Sequence, residues 1–306
     1  MKDVDPNLAS NSQIRPKTDE QPESGRRSAR WASFAVLRNG NANIAKCITL
    51  LRARIVRPSS VALLPNIGHR LQDMFAYGML AVGLSVVFLD VGSYVWINSL
   101  PSAYYVFFWT FTDFGKAHWS LVPACLIGLF ILALDWGRLS RALREALHVL
   151  FLQVAYIFLV VVGSGVIAVV LKWTLGRARP KLSSTFGPTH FDFLALDSDF
   201  TSFPSGHATT VGALAVCLAL LIPSWARMIF VLAFWLSVSR IMVSAHYPSD
   251  VIAGTLFGGA FAWYTARYLA GMRLLFRCDA NDRIRKRYSS WRVFRRALRE
   301  IGMRWT

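Results

Sequence analysis

Three short clusters of charged and polar residues are the part of this chain whose residue types could carry out chemistry. They are Lys172-x6-Arg179-Pro180, then Pro204-Ser205-Gly206-His207, then Ser239-Arg240-x5-His246-x3-Asp250. Each cluster lies at the end of a strongly apolar segment. Charged residues are costly beside a bilayer, so those found there are functional by default. We therefore treat the three clusters as parts of one candidate site.

The cations and helix-start donors of these clusters are suited to binding a phosphate. Lys172 offers a point charge, whereas Arg179 and Arg240 offer planar forks that bind two phosphate oxygens at once. Ser205 and Gly206 precede an apolar segment, and the first N–H groups of a helix attract anions. Such donors would stabilise the negative charge on the phosphoryl oxygens in the transition state.

The two histidines of the clusters could supply a nucleophile and an acid. Pro248 suits the first turn of a helix, so Asp250 would face back toward His246. A carboxylate on one imidazole nitrogen leaves the other nitrogen able to attack, so we predict a phosphohistidine on His246. His207 would protonate the leaving oxygen and later deprotonate the attacking water.

No metal or other cofactor is required by this scheme, because lysine and arginine supply the positive charge. The acidic pair Asp197-x-Asp199 is a weak metal motif, and we interpret it as part of a solvated loop. The scattered cysteines contain no Cys-x-x-Cys pair, so we predict neither a disulfide nor a metal site from them.

The bulk composition favours an integral membrane protein. Of 306 residues, 54% are hydrophobic and only 17% are charged, whereas a soluble domain carries about 25% charged residues. The formal net charge is +17, and most of the excess lies in the first 70 residues and after Arg267. Since these are tails, we attribute the charge to anionic lipid and cytoplasmic retention, and we predict no nucleic-acid partner.

The apolar segments predict an all-α fold, a polytopic membrane helix bundle with six transmembrane helices. A spanning helix needs about 20 apolar residues. We place the spans near 74–95, 117–134, 149–171, 208–222, 225–243 and 251–272. Around them we predict four regions: a disordered tail at 1–30, a basic interfacial segment or linker at 31–73, the membrane domain at 74–272, and a basic tail at 273–306.

Loop charges predict the orientation of this bundle. Arg138, Arg141 and Arg144 lie between the second and third spans, so that loop is expected in the cytoplasm. An even number of spans then places both termini there, and the three clusters on the extracytoplasmic face. We expect the protein to lie in the bacterial inner membrane.

The C-terminal tail has apolar residues on one helical face, namely Trp291, Phe294, Leu298, Ile301 and Trp305. This pattern fits either a helix that lies on the inner leaflet or a plain basic tail.

The clusters resemble the signature of the type 2 phosphatidic acid phosphatase superfamily, which also includes vanadium haloperoxidases. Its form is Lys-x6-Arg-Pro, Pro-Ser-Gly-His and Ser-Arg-x5-His-x3-Asp, and every position is filled here. The resemblance implies a six-helix membrane core and a metal-independent phosphatase. It also implies that His246 is the nucleophile, His207 the acid and Asp250 the residue that orients His246.

We therefore predict a phosphatase that acts on a lipid phosphate or diphosphate at the extracytoplasmic face. The candidate substrates are undecaprenyl diphosphate, phosphatidylglycerol phosphate, phosphatidate and the phosphates of lipid A, because the motifs bind the phosphate and not the tail. One alternative is a phosphotransferase, in which another lipid intercepts the phosphohistidine. A more distant alternative is a lipid-binding or transport protein with an inactive site. The oligomeric state is not predicted.

Several residues outside the clusters are further candidates. Arg177 and Lys181 could hold a second phosphate or a headgroup, although a solvated loop is favoured. Asp113 belongs to an Asp-x-Gly turn on the same face, which fits either a site residue or an ordinary helix start. Asp90, near the outer end of the first span, either reaches water or pairs with a basic residue. Gly254-x3-Gly258 predicts close helix packing.

Overall fold

The computed structural model describes residues 40–49, 52–53, 70–288 and 290–300. The predicted tail at 1–30 lies outside these residues, as do most of the predicted segment at 31–73 and both Ile301 and Trp305. The described helices are α1 (40–49), α2 (Leu71–Phe88), α3 (Asp90–Asn98), α4 (Ser102–Thr112), α5 (His118–Ala133), α6 (Arg141–Leu175), α7 (Ser183–Phe186), α8 (Gly206–Leu221), α9 (Ala226–Met242), α10 (Pro248–Gly271) and α11 (Ser290–Glu300).

The remaining elements are short. Single 3-10 turns cover Asp113–Gly115, Pro180–Leu182, Ser198–Phe200 and Pro223–Trp225. Strands β1 (Phe276–Cys278) and β2 (Ile284–Lys286) form an antiparallel pair, which the sequence did not predict. The helical fold class is confirmed, since this small hairpin is the one sheet within the described residues.

Four stretches of the described residues are long and apolar enough to cross a membrane. They are Leu71–Phe88, Ser102–Ala133, Arg141–Leu175 and Pro223–Met242, and α8 is a shorter apolar helix. Large apolar side chains such as Leu80, Phe130 and Val231 point away from the protein on these stretches. The chain is therefore an integral membrane protein, and the count of six spans stays a prediction.

Helices α6, α8 and α10 form the centre of the bundle. Their buried side chains pack into one cluster that includes Tyr156, Cys217 and Ala266. A Cβ on Gly254 would overlap the carbonyl oxygen of Ser205, and one on Gly258 would overlap that of Thr209. This approach confirms the predicted close packing at the two glycines. It also holds the starts of α8 and α10 side by side.

All three sequence clusters meet at one end of this bundle. The backbone N–H of Ser205, before α8, donates to the carbonyl oxygen of Asp250 in the first turn of α10 (3.0 Å). Lys172, near the end of α6, donates through Nζ to the carbonyl oxygen of Thr201 (3.1 Å). Residues 176–205, between α6 and α8, fold over this end and carry Arg177 and Arg179 into it.

The other end of the bundle holds α1 and the C-terminal segment. Asn43 of α1 donates to the carbonyl oxygens of Leu132 (2.8 Å) and Leu134 (3.0 Å), at the end of α5. Leu275 and Phe276 are buried in the central cluster, and α11 packs on α6. The core therefore continues past the predicted domain boundary at 272. The β1 strand packs against side chains of α6 and α10 that would otherwise be exposed.

Candidate active site

His246 and Asp250 lie on either side of the start of α10. Pro248 is the first residue of that helix, as its sequence position predicts. The Asp250 carboxylate reaches back, so that Oδ2 accepts the backbone N–H of Tyr247 (2.9 Å) and the hydroxyl of Ser202 (2.6 Å). The same oxygen is 3.7 Å from Nδ1 of His246, which is an ion-pair distance rather than a hydrogen bond.

Burial controls the protonation of this histidine. His246 is 4% exposed, and its removal from water lowers its pKa to about 4, with the cations Lys172 and Arg179 acting in the same direction and Asp250 opposing them. The imidazole is therefore neutral at physiological pH, which is the state a nucleophile needs.

The three predicted phosphate-binding cations converge on the histidines. Arg179 donates through Nε to the carbonyl oxygen of Ser198 (2.9 Å) and through Nη2 to Oγ1 of Thr201 (3.2 Å). Arg240 donates through Nη1 to Oγ1 of Thr112 (3.2 Å), and its charge acts on His207. Within the described residues, Nε of Arg240 is buried without a hydrogen-bond partner.

Ser205 and Gly206 form the start of α8, as expected for an anion-binding helix N-terminus. Ser205 is the residue before the helix, and its Oγ accepts the backbone N–H of Ala208 (3.4 Å). A hydroxyl that accepts in this way still carries its own O–H donor. A Cβ on Gly206 would lie 3.5 Å from Cε of Lys172, so the lysine side chain extends past the first turn of the helix.

His207 faces the turn that precedes α5. A Cβ on Gly115 would overlap Nε2 of His207, so this glycine lets the turn approach the imidazole. Nε2 is buried, and no described residue is hydrogen-bonded to it. The turn therefore joins the site through Gly115, and Thr112 at the end of α4 joins it through Arg240. Asp113 itself is exposed and pairs with Lys116 (2.8 Å).

The other two candidate cations are not directed at the histidines. Lys181 is exposed and pairs with Asp199 (2.5 Å), whose backbone N–H donates to Oδ1 of Asp197 (2.9 Å). Arg177 differs from both sequence interpretations, because it is neither solvated nor available to a phosphate. It is 1% exposed and forms ion pairs with Asp90 and Asp250.

Several site residues were not identified from the sequence. Thr112, Thr201 and Ser202 are hydrogen-bonded to cluster residues, yet a single hydroxyl residue at a helix end or in a loop has no spacing signal. Asp90 had a different signal in the sequence, because a carboxylate in an apolar segment needs a partner. The sequence could not show which basic residue pairs with it, since Arg177 is distant along the chain.

Comparisons with known proteins agree with this site. The PAP2 superfamily matches residues 153–272, which contain all three clusters. The lipid A 1-phosphatase of Rhizobium etli is 40% identical over 200 residues, covering 64% of this chain and 84% of that protein. The lipid A 1-phosphatase of Rhizobium johnstonii is 42% identical over 169 residues, covering 54% and 68%.

A third relative has a different substrate in its name. The undecaprenyl-diphosphatase of Sulfolobus acidocaldarius is 36% identical over 141 residues, covering 44% of this chain and 66% of that protein. The chain therefore belongs to the PAP2 superfamily, as its clusters indicate. It is an integral membrane enzyme of the phosphatase class.

The buried histidine predicts how stability depends on pH. An unfolded histidine has a pKa near 6.5, so between that pH and about 4 the unfolded state binds more protons than the folded state. His246 should therefore cost about 3 kcal/mol of stability as pH falls from 7 to 4. We expect unfolding in detergent to show this loss in the wild type and a smaller one in His246→Gln. The exposed His118→Gln variant is the control and should follow the wild type; a parallel decline in all three would contradict the assignment.

Proposed function

We propose that this protein is a lipid phosphatase that forms a phosphohistidine on His246 and releases inorganic phosphate. The observation that carries the proposal is the arrangement of His246 between the Asp250 carboxylate and the charges of Lys172 and Arg179. His207 shares this end of the bundle and lies close enough to His246 that a positive charge on His246 would act on it. A nucleophile, its orienting acid, cations and a second histidine are the parts that phosphoryl transfer requires.

In the first step, Nε2 of His246 attacks phosphorus while the bond from phosphorus to the lipid oxygen breaks. Asp250 faces Nδ1, so it favours the tautomer that carries a proton there and leaves the Nε2 lone pair for attack. The leaving oxygen takes a proton from His207. A bound phosphate favours the protonated form of that histidine, because it places negative charge beside it.

The cations stabilise the charge on the transferred phosphoryl group. Lys172 and Arg240 each donate to one neighbouring oxygen of the protein, and Arg179 donates to two, which orients the remaining donors of each group. Preorganised donors of this kind stabilise a transition state because they need no rearrangement during the reaction. The backbone N–H groups at the start of α8 act in the same way.

In the second step, water attacks the phosphohistidine and the P–N bond breaks. His207, which is now neutral, takes the proton from the water, and His246 returns to its neutral form. The phosphotransferase alternative differs only here, because a lipid hydroxyl would replace water. Orthophosphate released in the absence of any acceptor lipid distinguishes hydrolysis from transfer.

The two-step scheme predicts that His207→Ala accumulates the intermediate. With an aryl phosphate, the leaving group needs no acid, so phosphorylation of His246 continues while hydrolysis slows by about 100-fold, the scale of acid–base catalysis. Mass spectrometry of the quenched protein should locate an acid-labile phosphate on His246. His148→Ala, in α6, is the matched control and should turn over normally. An active His246→Ala variant would rule out the mechanism.

For the substrate, we propose the 1-phosphate of a lipid A-type glycolipid. The support comes from the two lipid A 1-phosphatases, which are 40% and 42% identical to this chain over longer regions than the undecaprenyl-diphosphatase. Undecaprenyl diphosphate is the second candidate. In both cases the site would meet a terminal phosphate on a lipid that diffuses in the plane of the membrane.

A panel of lipids should rank these substrates. We expect purified protein in detergent with EDTA to release phosphate from lipid A with the highest kcat/KM, ahead of undecaprenyl diphosphate, phosphatidylglycerol phosphate and phosphatidate. Mass spectrometry of the product should show loss from the 1-position. Activity that needs added Mg²⁺ would contradict the metal-independent scheme, and faster turnover of undecaprenyl diphosphate would contradict the substrate.

We further propose that the site faces the extracytoplasmic side of the bacterial inner membrane, with both termini in the cytoplasm. The support is the position of α1 and of the C-terminal segment at the end of the bundle opposite the clusters. Arg138, in the loop before α6, and Arg141, the first residue of α6, lie at that same end, where the positive-inside rule expects cytoplasm.

A reporter fused after Thr306 should show this orientation. We expect a fluorescent protein that folds only in the cytoplasm to be active there, and alkaline phosphatase at the same position to be inactive. A second alkaline phosphatase fusion, inserted in the 188–196 loop, should be active. The reverse pattern would place the site in the cytoplasm.

A further inference from the structure

We propose that Asp90 and Arg177 form a positioning pair that holds Asp250 in the orientation in which it supports His246. The inference rests on the proposed function, because it assigns a role within that reaction. Neither residue touches the phosphate in this scheme. They act through Asp250, and the contacts of the buried network carry the argument.

All five N–H donors of the Arg177 guanidinium have acceptors. Nε and Nη2 both donate to the carbonyl oxygen of Pro188 (3.0 and 2.6 Å), and Nη2 also donates to Oδ2 of Asp90 (2.7 Å). Nη1 donates to Oγ of Ser249 (2.6 Å) and to Oδ1 of Asp250. No donor remains for a substrate phosphate, so the side chain has a role inside the protein.

Asp90 connects this arginine to the first turn of α10. It is the first residue of α3, directly after Leu89, and it is fully buried. Its Oδ1 accepts the backbone N–H of Ser249 (3.0 Å), and its Oδ2 accepts the hydroxyl of Ser249 (2.6 Å). One carboxylate thus ties α3 to both the backbone of α10 and the guanidinium of Arg177.

The consequence for Asp250 is that its two oxygens have different partners. Oδ1 is bound by Arg177, whereas Oδ2 is bound by Ser202 and the Tyr247 backbone and is the oxygen that faces His246. A carboxylate bound on both oxygens cannot rotate without breaking several charge-assisted hydrogen bonds. The orientation of Asp250, and therefore of the His246 imidazole, depends on Arg177.

The charges of the network also need Asp90. Arg177 alone would neutralise Asp250, and a neutralised carboxylate would not stabilise the imidazolium that forms when His246 attacks. With Asp90 present, the network of two carboxylates and one guanidinium keeps one negative charge. Because charges interact strongly in a buried site, this negative charge opposes the cost of the positive imidazole.

The test is Asp90→Asn, which keeps the shape of the side chain and removes its charge. We expect kcat to fall by about 10- to 100-fold, as for other residues that orient a reacting group, with KM changed by less than about 2-fold. Asp135→Asn, an exposed carboxylate paired with Arg138, is the matched control and should keep wild-type kcat and KM.

A double-variant cycle separates positioning from simple destabilisation. If Asp90 acts through Asp250, Asp90→Asn should have little further effect on kcat in the Asp250→Asn background. An equal loss in both backgrounds, or full kcat in Asp90→Asn alone, would overturn the inference. His246→Ala tests the proposed function by itself, so an inactive His246→Ala beside a fully active Asp90→Asn refutes only the positioning role.

The pH profile gives a second, independent measure. The charged and titratable groups that act on His246 are Lys172 of α6, Arg179 of the 176–205 segment, His207 of α8 and Asp250 of α10. Arg177 and Asp90 of α3 form the ion pairs behind Asp250, and Arg240 of α9 acts on His207. Loss of one negative charge from this set lowers the pKa of His246, so the acid limb of kcat/KM should move to lower pH in Asp90→Asn. An unmoved limb would count against the charge argument.

Arg177→Lys keeps the inference testable if Asp90→Asn does not fold. A lysine retains the charge, but one ammonium cannot bind Asp90, Asp250, Ser249 and Pro188 together as the planar fork does. We expect a lower kcat, an unchanged KM and an acid limb at the wild-type pH. Wild-type kcat in a folded Arg177→Lys protein would also overturn the positioning role.

Discussion

The rest of the site depends on the contacts that the buried Asp250 carboxylate makes. It lies in the first turn of α10, and it binds or faces Arg177, Ser202, the Tyr247 backbone and His246. These partners come from two separate segments of the chain. A carboxylate that is buried away from water needs hydrogen-bond or ion-pair partners on both of its oxygens. The segments that supply the partners are therefore held at one end of the bundle.

This requirement explains why the site has two electrostatic layers. In the inner layer, Asp90, Arg177 and Asp250 compensate one another and are almost completely buried. In the outer layer, Lys172, Arg179 and Arg240 are bound mainly by neutral oxygens of the protein. Cations without carboxylate partners favour an anion, whereas the inner layer has no remaining donor on Arg177. This separation supports the proposal that the outer layer binds the substrate and the inner layer orients His246.

The bundle supports both layers through close helix packing. Gly254 and Gly258 let α10 approach the backbone of α8, which places the start of one helix beside the start of the other. Because helix N-termini carry partial positive charge, this end favours the phosphate as well as the Asp250 carboxylate. The outer surface of the surrounding helices is apolar, which suits the proposed site for a lipid phosphate at the membrane boundary.

The sequence by itself determined the class of enzyme and the class of fold. The spacing of the three clusters predicts the roles of His246, His207 and Asp250 with their cations. Apolar segments with few charges allow only membrane helices, because a lipid-exposed backbone must satisfy its own hydrogen bonds. The burial and the partners of Arg177 were decided by tertiary structure alone. Its neighbour Arg179 has the same side chain and the same local context, yet one is buried against carboxylates and the other is directed to the site. That difference depends on Asp90, which is far away in sequence and is brought to Arg177 only by the packing of α3 against α10. Local spacing cannot encode a partner whose distance is set by the folded chain.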